Sequence, residues 1–188
     1  MTSAIYLDYQ ATTPMDSRAL EAMLPFLRQD FGNPHSTQHQ FGQKAELAVE
    51  SAREKLARLI GADSREIVFT SGATESNNLA IMGAARFRAR MGDGVKRVLV
   101  FAFEHKCVLE SALSLKEEGF EVEILPVTSE GFANLDALRE ALKKPTSLVS
   151  LMAANNEIGT IQPIEEAGEL TRAAGALLHV DAAQAIGK

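Results

Sequence analysis

The chain has 188 residues and a formal net charge of −6, with hydrophobic residues at 46% and charged residues at 23%. This length and composition are typical of a globular protein with a sizeable core. Acidic and basic residues are mixed along the chain, which argues against a nucleic-acid or anionic-membrane binder. No apolar run approaches the about 20 residues of a membrane span, and no secretory signal is recognised at the N-terminus. A single cysteine cannot form an internal disulfide and favours the reducing cytoplasm.

The first sixty residues predict two helices joined by a polar loop. We expect a short strand at 5–7, a helix over about 17–28, and a loop rich in Gly, Asn, Pro, His, Ser and Thr over 31–40. A second helix is expected to run to residue 60, since apolar residues recur there at three- and four-residue steps and a glycine follows. This block is expected to wrap a sheet or to begin a second, smaller domain.

Beyond residue 60, short β-branched apolar runs alternate with longer helical ones. Strands are expected at 66–70, 97–101, 121–125, 148–152 and 176–180. Helices are expected at 75–91, 108–118, 135–143 and 164–174. Strand–helix alternation with nearly continuous apolar strands predicts an α/β fold, a mostly parallel sheet flanked by helices on both faces.

Polar residues follow four of the predicted strands, where open parallel sheets bind their ligands. A segment of small residues at 71–76 opens a helix, and its backbone N–H groups suit a phosphate. His105 follows the second strand, Asn155 and Asn156 the fourth, and Asp181 the fifth, with Gln184 one helical turn on. A planar phosphorylated ring containing a nitrogen would use all of these groups, because the carboxylate can hold a protonated ring nitrogen and the imidazole can stack on the ring.

Each residue also has a simpler explanation. Thr74 alone suits a helix N-cap, His105 a satisfied surface histidine, Asn156 a turn residue and Asp181 a cap for the next helix. Their joint occurrence at successive strand ends favours the shared site.

Other motifs are weak. There is no G-x-G-x-x-G segment and no P-loop signature. His35 and His39 lie four residues apart in a loop without a neighbouring Cys or carboxylate, so no metal site is expected. Cys107 follows His105 closely, but we interpret it as a buried, inert thiol at the start of a helix rather than as a nucleophile.

At these positions the sequence resembles the NifS/IscS-type cysteine desulfurases, which are fold-type I enzymes dependent on pyridoxal 5'-phosphate (PLP). The resemblance covers the whole chain. It is carried by YLDYQATTP at 6–14, FGNPHS at 31–36, EIVFTSGATESN at 66–77, EHK at 104–106, NNEIG at 155–159 and HVDAAQ at 179–184. The NNEIG segment favours this branch over the SufS-like and selenocysteine-lyase branch.

The resemblance implies a role for each site residue. Ala73 and Thr74 would bind the cofactor phosphate, and His105 would stack on the pyridine ring and act as the catalytic proton-transfer group. Asp181 would pair with the ring nitrogen. The carboxamides of Asn156 and Gln184 would bond the ring oxygen or the substrate. The implied reaction converts L-cysteine to L-alanine and transfers sulfur as a persulfide to an iron–sulfur scaffold protein or a tRNA-thiolation pathway.

The sequence departs from the family in lacking the Schiff-base lysine and the mobile nucleophilic cysteine, which lie further along in the family. Lys188 matches a different lysine. The resemblance implies residues 1–14 as the start of a small domain and residues 15–188 as an incomplete large domain. We expect a complementary C-terminal polypeptide to complete the fold, and a homodimer when complete. The alternatives are a non-catalytic PLP-binding or interaction fragment, and another aminotransferase or lyase reaction of the same superfamily.

Overall fold

Residues 4–91 and 94–187 are described by a computed structural model. Contacts between Cα atoms divide the chain into two compact units, Met1–Phe69 and Thr70–Lys188. The first unit is built from helices, and the second holds the predicted sheet.

The first unit contains two helices that local sequence signals account for. Helix α1 (Ser17–Arg28) begins where the Asp16 side chain accepts a hydrogen bond from the backbone N–H of Arg18. Helix α2 (Gln40–Ile60) ends at Gly61, whose left-handed conformation terminates the helix. Both predicted helices are confirmed. The predicted strand at 5–7 is wrong: residues 4–8 form no regular structure.

The predicted strand at 66–70 is also wrong. A short 3₁₀ helix occupies Ser64–Glu66, and residues 67–70 pair with no strand in the part of the chain that the structure describes. The side chains of Val68 and Phe69 are 65% and 48% exposed. A strand is stable only with a hydrogen-bonded neighbour and a covered apolar face. Among the described residues this segment has no such neighbour, although its pattern suits a strand.

The second unit contains a parallel sheet, as predicted, with four of the five strands expected beyond residue 60. Its strands are β1 (Arg97–Phe101), β2 (Glu121–Leu125), β3 (Leu148–Ser150) and β4 (Leu177–His179). The spatial order is β2-β1-β3-β4, and each neighbouring pair is parallel. The helices are α3 (Ala73–Met91), α4 (Lys106–Ser114), α5 (Leu135–Ala141) and α6 (Ile164–Ala173). A 3₁₀ turn over Leu115–Glu118 continues α4, so the predicted helix at 108–118 changes type near its end.

Alternate residues of β1 enter two separate hydrophobic cores. Val98 and Val100 belong to the core that includes Ile81 of α3 and Val108 of α4. Leu99 and Phe101 belong to the core that includes residues of α5 and α6. All four of these strand side chains are fully buried, because successive residues of a strand point to opposite faces. Both faces of the sheet are therefore covered.

The amino end of β1 carries a buried cation. Arg97 is 4% exposed, and its guanidinium pairs with Glu121 at 3.0 Å and with Glu123. It also donates to the carbonyl of Ala141 and to the hydroxyl of Thr146, both at 2.8 Å. This network stabilises the end of the sheet opposite to the strand ends where ligands are expected.

Candidate functional site

A cavity of about 180 Å³ lies beyond the carboxyl ends of the strands in the second unit. All six site residues proposed from the sequence line it: Ala73, Thr74, His105, Asn156, Asp181 and Gln184. They come from four separate segments of the chain, and the parallel sheet brings these segments together at one edge. The structure therefore places the predicted residues in one pocket, although one of the four strands expected to position them is absent.

The first wall of the pocket is the amino end of α3. The Glu75 carboxylate accepts hydrogen bonds from the backbone N–H and the hydroxyl of Ser71, at 2.7 and 2.6 Å. These bonds hold the pKa of Glu75 below its usual range. The backbone N–H groups of Ala73 and Thr74 lie in the first helical turn, where no carbonyl of the same helix can accept them. The exposed Thr74 side chain adds a hydroxyl, so this wall can bind a phosphate.

The second wall is His105, the N-cap of α4. Its Nδ1 accepts the backbone N–H of Cys107 at 3.2 Å and lies 3.0 Å from the Cys107 sulfur. Because Nδ1 is an acceptor, the proton of the neutral ring is on Nε2. The capping bond orients the imidazole and leaves Nε2 as the nitrogen that can donate or exchange a proton with a ligand.

The third wall is Asp181, which follows β4 and is 8% exposed. Its Oδ1 accepts the backbone N–H of Ala183 at 3.0 Å, and its Oδ2 accepts the side-chain amide of Asn77 at 2.8 Å. The same Asn77 nitrogen lies 3.2 Å from the Cys107 sulfur. Residues 181–187 form turns and no helix, so the interpretation of Asp181 as a helix cap is wrong. The side chain binds the turn after β4 and is a buried carboxylate in the pocket.

The two consecutive asparagines have different surroundings. The Asn155 side chain accepts the backbone N–H groups of Glu157 and Ile158 at 2.9 and 3.0 Å, and donates to the carbonyl of Phe103 at 3.2 Å. It shapes the turn after β3, as the simpler explanation of this pair expects. The Asn156 side chain lines the pocket instead. The turn residue thus orients the pocket residue.

A buried carboxyl group next to the pocket was not assigned a role from the sequence. Glu104 is 5% exposed; its Oε1 accepts the backbone N–H of Met152 at 2.7 Å, and its Oε2 has no hydrogen-bond partner in the described ranges 4–91 and 94–187. Burial raises the pKa of Glu104 to about 8, and the neighbouring Asp181 acts in the same direction. The raised pKa favours the neutral form of Glu104 near pH 7. Asp181, unlike Glu104, lines the pocket and is the carboxyl placed to meet a ligand there.

Asn77 and Glu104 are polar residues beside the pocket for which the sequence predicts no role. Asn77 could have been found from helical spacing, because it follows Thr74 by three residues and lies on the same side of α3. Glu104 gave no such signal, since its importance depends on burial between two strand ends.

Within the described residues, no cluster of three or more His, Cys, Asp or Glu side chains could hold a metal ion. His39 caps α2 by accepting the backbone N–H of Gly42, whereas His35 belongs to the preceding loop. Cys107 is 8% exposed and starts a helix, as predicted, but it also lines the pocket.

None of the helices in the described ranges is long and apolar enough to cross a membrane.

Comparison with known proteins agrees with the fold and the motifs. Residues 5–188 match the family described as aminotransferase class-V. The chain is 53% identical over its full length to the cysteine desulfurase IscS of Rickettsia akari, covering 45% of that protein. It is 54% identical over 98% of its length to the mitochondrial cysteine desulfurase of Drosophila melanogaster, covering 39% of that protein. A solved NifS-like protein superimposes with a TM-score of 0.87 at 40% identity, over 94% of this chain and 48% of that one. The chain thus spans about half the length of the relatives it matches.

Class-V aminotransferases and cysteine desulfurases are PLP-dependent enzymes, and the pocket residues fit this cofactor. An open helix N-terminus with a hydroxyl faces the pocket at one wall, a buried carboxylate at another, and an imidazole and two carboxamides complete the donor set. These groups are complementary to a phosphate, a protonated pyridine nitrogen, a flat ring face and a ring oxygen, respectively. Motifs, fold and matched residues together show that this chain belongs to the aminotransferase class-V family, with cysteine desulfurases among its relatives.

Proposed function

We propose that this chain forms the PLP-binding part of a cysteine desulfurase. The proposed reaction takes L-cysteine and an enzyme thiol to L-alanine and an enzyme persulfide: the carbon–sulfur bond of the substrate breaks, and a sulfur–sulfur bond forms. The observation that carries this proposal is the convergence of six predicted residues on one pocket. The names of the relatives support cysteine as the substrate.

The roles proposed for the pocket residues follow from their positions. Ala73 and Thr74 bind the phosphate through the first turn of α3. Asp181, held by two hydrogen bonds, keeps a proton on the pyridine nitrogen. Asn156 and Gln184 orient the ring oxygen or the substrate. When bound, the cofactor supplies an electron sink for the substrate.

His105 is the proposed catalytic residue of this chain. Its Nδ1 is engaged by the backbone of Cys107, so proton exchange takes place at Nε2. Its ring is exposed toward the pocket, which allows it to stack on the cofactor face. One orientation allows both roles, because a bond accepted by Nδ1 lies in the ring plane and occupies neither Nε2 nor the ring face.

The lysine that binds the cofactor covalently and the thiol that accepts sulfur are proposed to lie on a complementary C-terminal polypeptide. The relatives extend beyond the part of their length that this chain matches. The completed enzyme is proposed to be a cytoplasmic homodimer that delivers sulfur to an iron–sulfur scaffold protein or another acceptor. Residues 1–14 are proposed to begin its small domain and residues 15–188 to belong to the large one.

The test is to combine this chain with a C-terminal polypeptide of the family, add PLP and L-cysteine, and measure alanine and sulfide. Equal release of alanine and sulfide with a reductant, dependent on both polypeptides, is the expected result. A folded complex that binds PLP without releasing alanine would reject desulfurase activity and favour a non-catalytic binding fragment. An amino-acid product other than alanine would favour another class-V reaction.

A further inference from the structure

The side chain of Asn77 connects the two pocket walls that face the ring. It is 4% exposed, and its Nδ2 donates to Asp181 Oδ2 at 2.8 Å and to Cys107 Sγ at 3.2 Å. The Cys107 sulfur in turn lies 3.0 Å from His105 Nδ1. A continuous path of polar contacts therefore runs from the carboxylate to the imidazole through a residue that does not line the pocket.

We propose that Asn77 is a positioning residue that fixes the Asp181 carboxylate for the pyridine nitrogen of the cofactor. This inference rests on the proposed function, since it assigns Asp181 to that nitrogen. Asn77 would act through Asp181, because it binds that carboxylate and is not among the residues that line the pocket.

The orientation of the Asn77 amide is determined by its two acceptors. A primary amide nitrogen carries two hydrogens, and here one is directed to a carboxylate oxygen and the other to a sulfur. If the amide were turned over, its oxygen would face the Asp181 oxygen, which cannot donate as a carboxylate. The amide is therefore held in one orientation, with its donor side toward Asp181.

The carboxylate is held from two separate elements. Asn77 binds Oδ2 from helix α3, and the backbone N–H of Ala183 binds Oδ1 from the segment after β4. Two donors from different elements fix the plane of the carboxylate more firmly than a single donor. Each oxygen retains a second lone pair for a cation in the pocket. Loss of such support for a metal ligand commonly lowers affinity or activity by about 10- to 100-fold, and we expect an effect of similar size for the Asp181 carboxylate.

The experiment compares Asn77→Asp, Asn77→Ala and Asn78→Asp in the completed PLP enzyme. Asn77→Asp keeps the volume of the side chain but replaces a donor with an acceptor facing a carboxylate. Asn78 is the matched control, because its amide donates to the backbone carbonyl of Thr74 and makes no contact with Asp181. The measurements are the PLP dissociation constant and the absorbance spectrum of bound PLP between pH 6 and pH 8.5.

We expect Asn77→Asp to weaken PLP binding by about 10- to 100-fold at pH 8. This loss should become smaller toward pH 6, because two facing carboxyls share a proton and the protonated one can donate. Asn77→Ala should weaken binding by about tenfold at every pH, and Asn78→Asp by less than about twofold. The other titratable groups of this region are Glu104, His105, Cys107 and His179. Asn77→Ala adds no carboxyl group, so its binding at each pH separates their contribution from that of the new carboxyl in Asn77→Asp.

A loss that is equal in Asn77→Asp and Asn77→Ala and independent of pH would assign Asn77 a packing role and overturn the inference. Unchanged binding in Asn77→Asp at pH 8 would also overturn it. If Asn77→Asp fails to fold, Asn77→Ala and Asn77→Ser decide: a positioning role requires the serine, which retains a donor, to bind PLP more tightly than the alanine. Failure of the unchanged protein to bind PLP would reject the proposed function instead.

Discussion

The two units of the chain differ in how far their apolar side chains are buried. In the first unit, α1 buries no residue, and Leu27, Phe31 and Leu47 are 66%, 72% and 71% exposed. In the second unit, Leu99 and Phe101 are fully buried within a core of several elements. Both units contain well-formed helices that the sequence predicts. A helix in this chain can therefore be well formed whether or not its apolar face is buried.

This contrast explains which sequence predictions hold. Helices form their hydrogen bonds locally, so spacing and caps locate α1 and α2. Strands form theirs with a neighbour, so the apolar runs at 5–7 and 66–70 do not become strands, whereas 97–101 does. The second unit supplies parallel neighbours for its strands, and there the predicted α/β order is confirmed.

The largest effect is expected at the pocket, which belongs entirely to the second unit. Asp181→Ala in the completed enzyme should weaken PLP binding and reduce turnover at least about 1,000-fold, because the ring nitrogen loses its anionic partner. Asp30→Ala is the control, since Asp30 in the first unit pairs with Lys44. The turnover of both variants is measured as alanine release under saturating PLP. Unchanged turnover in Asp181→Ala would remove this residue from the site.

Core packing should distinguish the two units by stability. Leu99→Ala should lower the free energy of unfolding by about 3 kcal/mol, because a fully buried side chain leaves a cavity. Leu47→Ala should change it by less than about 0.5 kcal/mol, since that side chain is largely exposed. Urea unfolding followed by circular dichroism measures both variants. A cost at Leu47 as large as that at Leu99 would mean that the apolar face of α2 is covered in solution.

A buried ion pair in the second unit should contribute more to stability than an exposed ion pair in the first. Arg97→Ala removes a guanidinium whose side chain is 5% exposed and leaves the carbonyl of Ala141 without its donor, so a loss of about 2–3 kcal/mol is expected. Lys44→Ala removes an exposed partner of Asp30 and should cost at most about 1 kcal/mol. The same unfolding experiment applies. Equal losses would show that burial does not decide the strength of these pairs.

Glu104 predicts a pH dependence in the second unit. Its folded pKa, about 8, lies above the ordinary 4.5, so the folded state retains a proton that the unfolded state loses. Stability should therefore fall as pH rises from about 4.5 to 8, by about 2 kcal/mol between pH 6 and pH 8. Glu104→Gln keeps an acceptor for Met152 and should abolish this part of the slope. An unchanged slope in unfolding experiments at several pH values would show that Glu104 does not titrate in this range.

The sequence could predict the pocket residues because each follows a recognisable strand or opens a helix. It could not predict that Asn155 shapes the turn while Asn156 lines the pocket, since the two share chemistry and differ only in direction. Nor could it predict the raised pKa of Glu104, which depends on burial and on the nearness of a residue 77 positions away along the chain. Such properties arise from three-dimensional contacts rather than from local pattern.

The position of Cys107 has a practical consequence. It is the single cysteine of the chain, and its sulfur lies between the imidazole and the amide that supports the carboxylate. Selective ¹³C labelling of cysteine in this chain would give one resonance from the wall of the pocket, whatever cysteines a completing polypeptide contains. That resonance would serve as a built-in reporter of occupancy, readable without altering any residue.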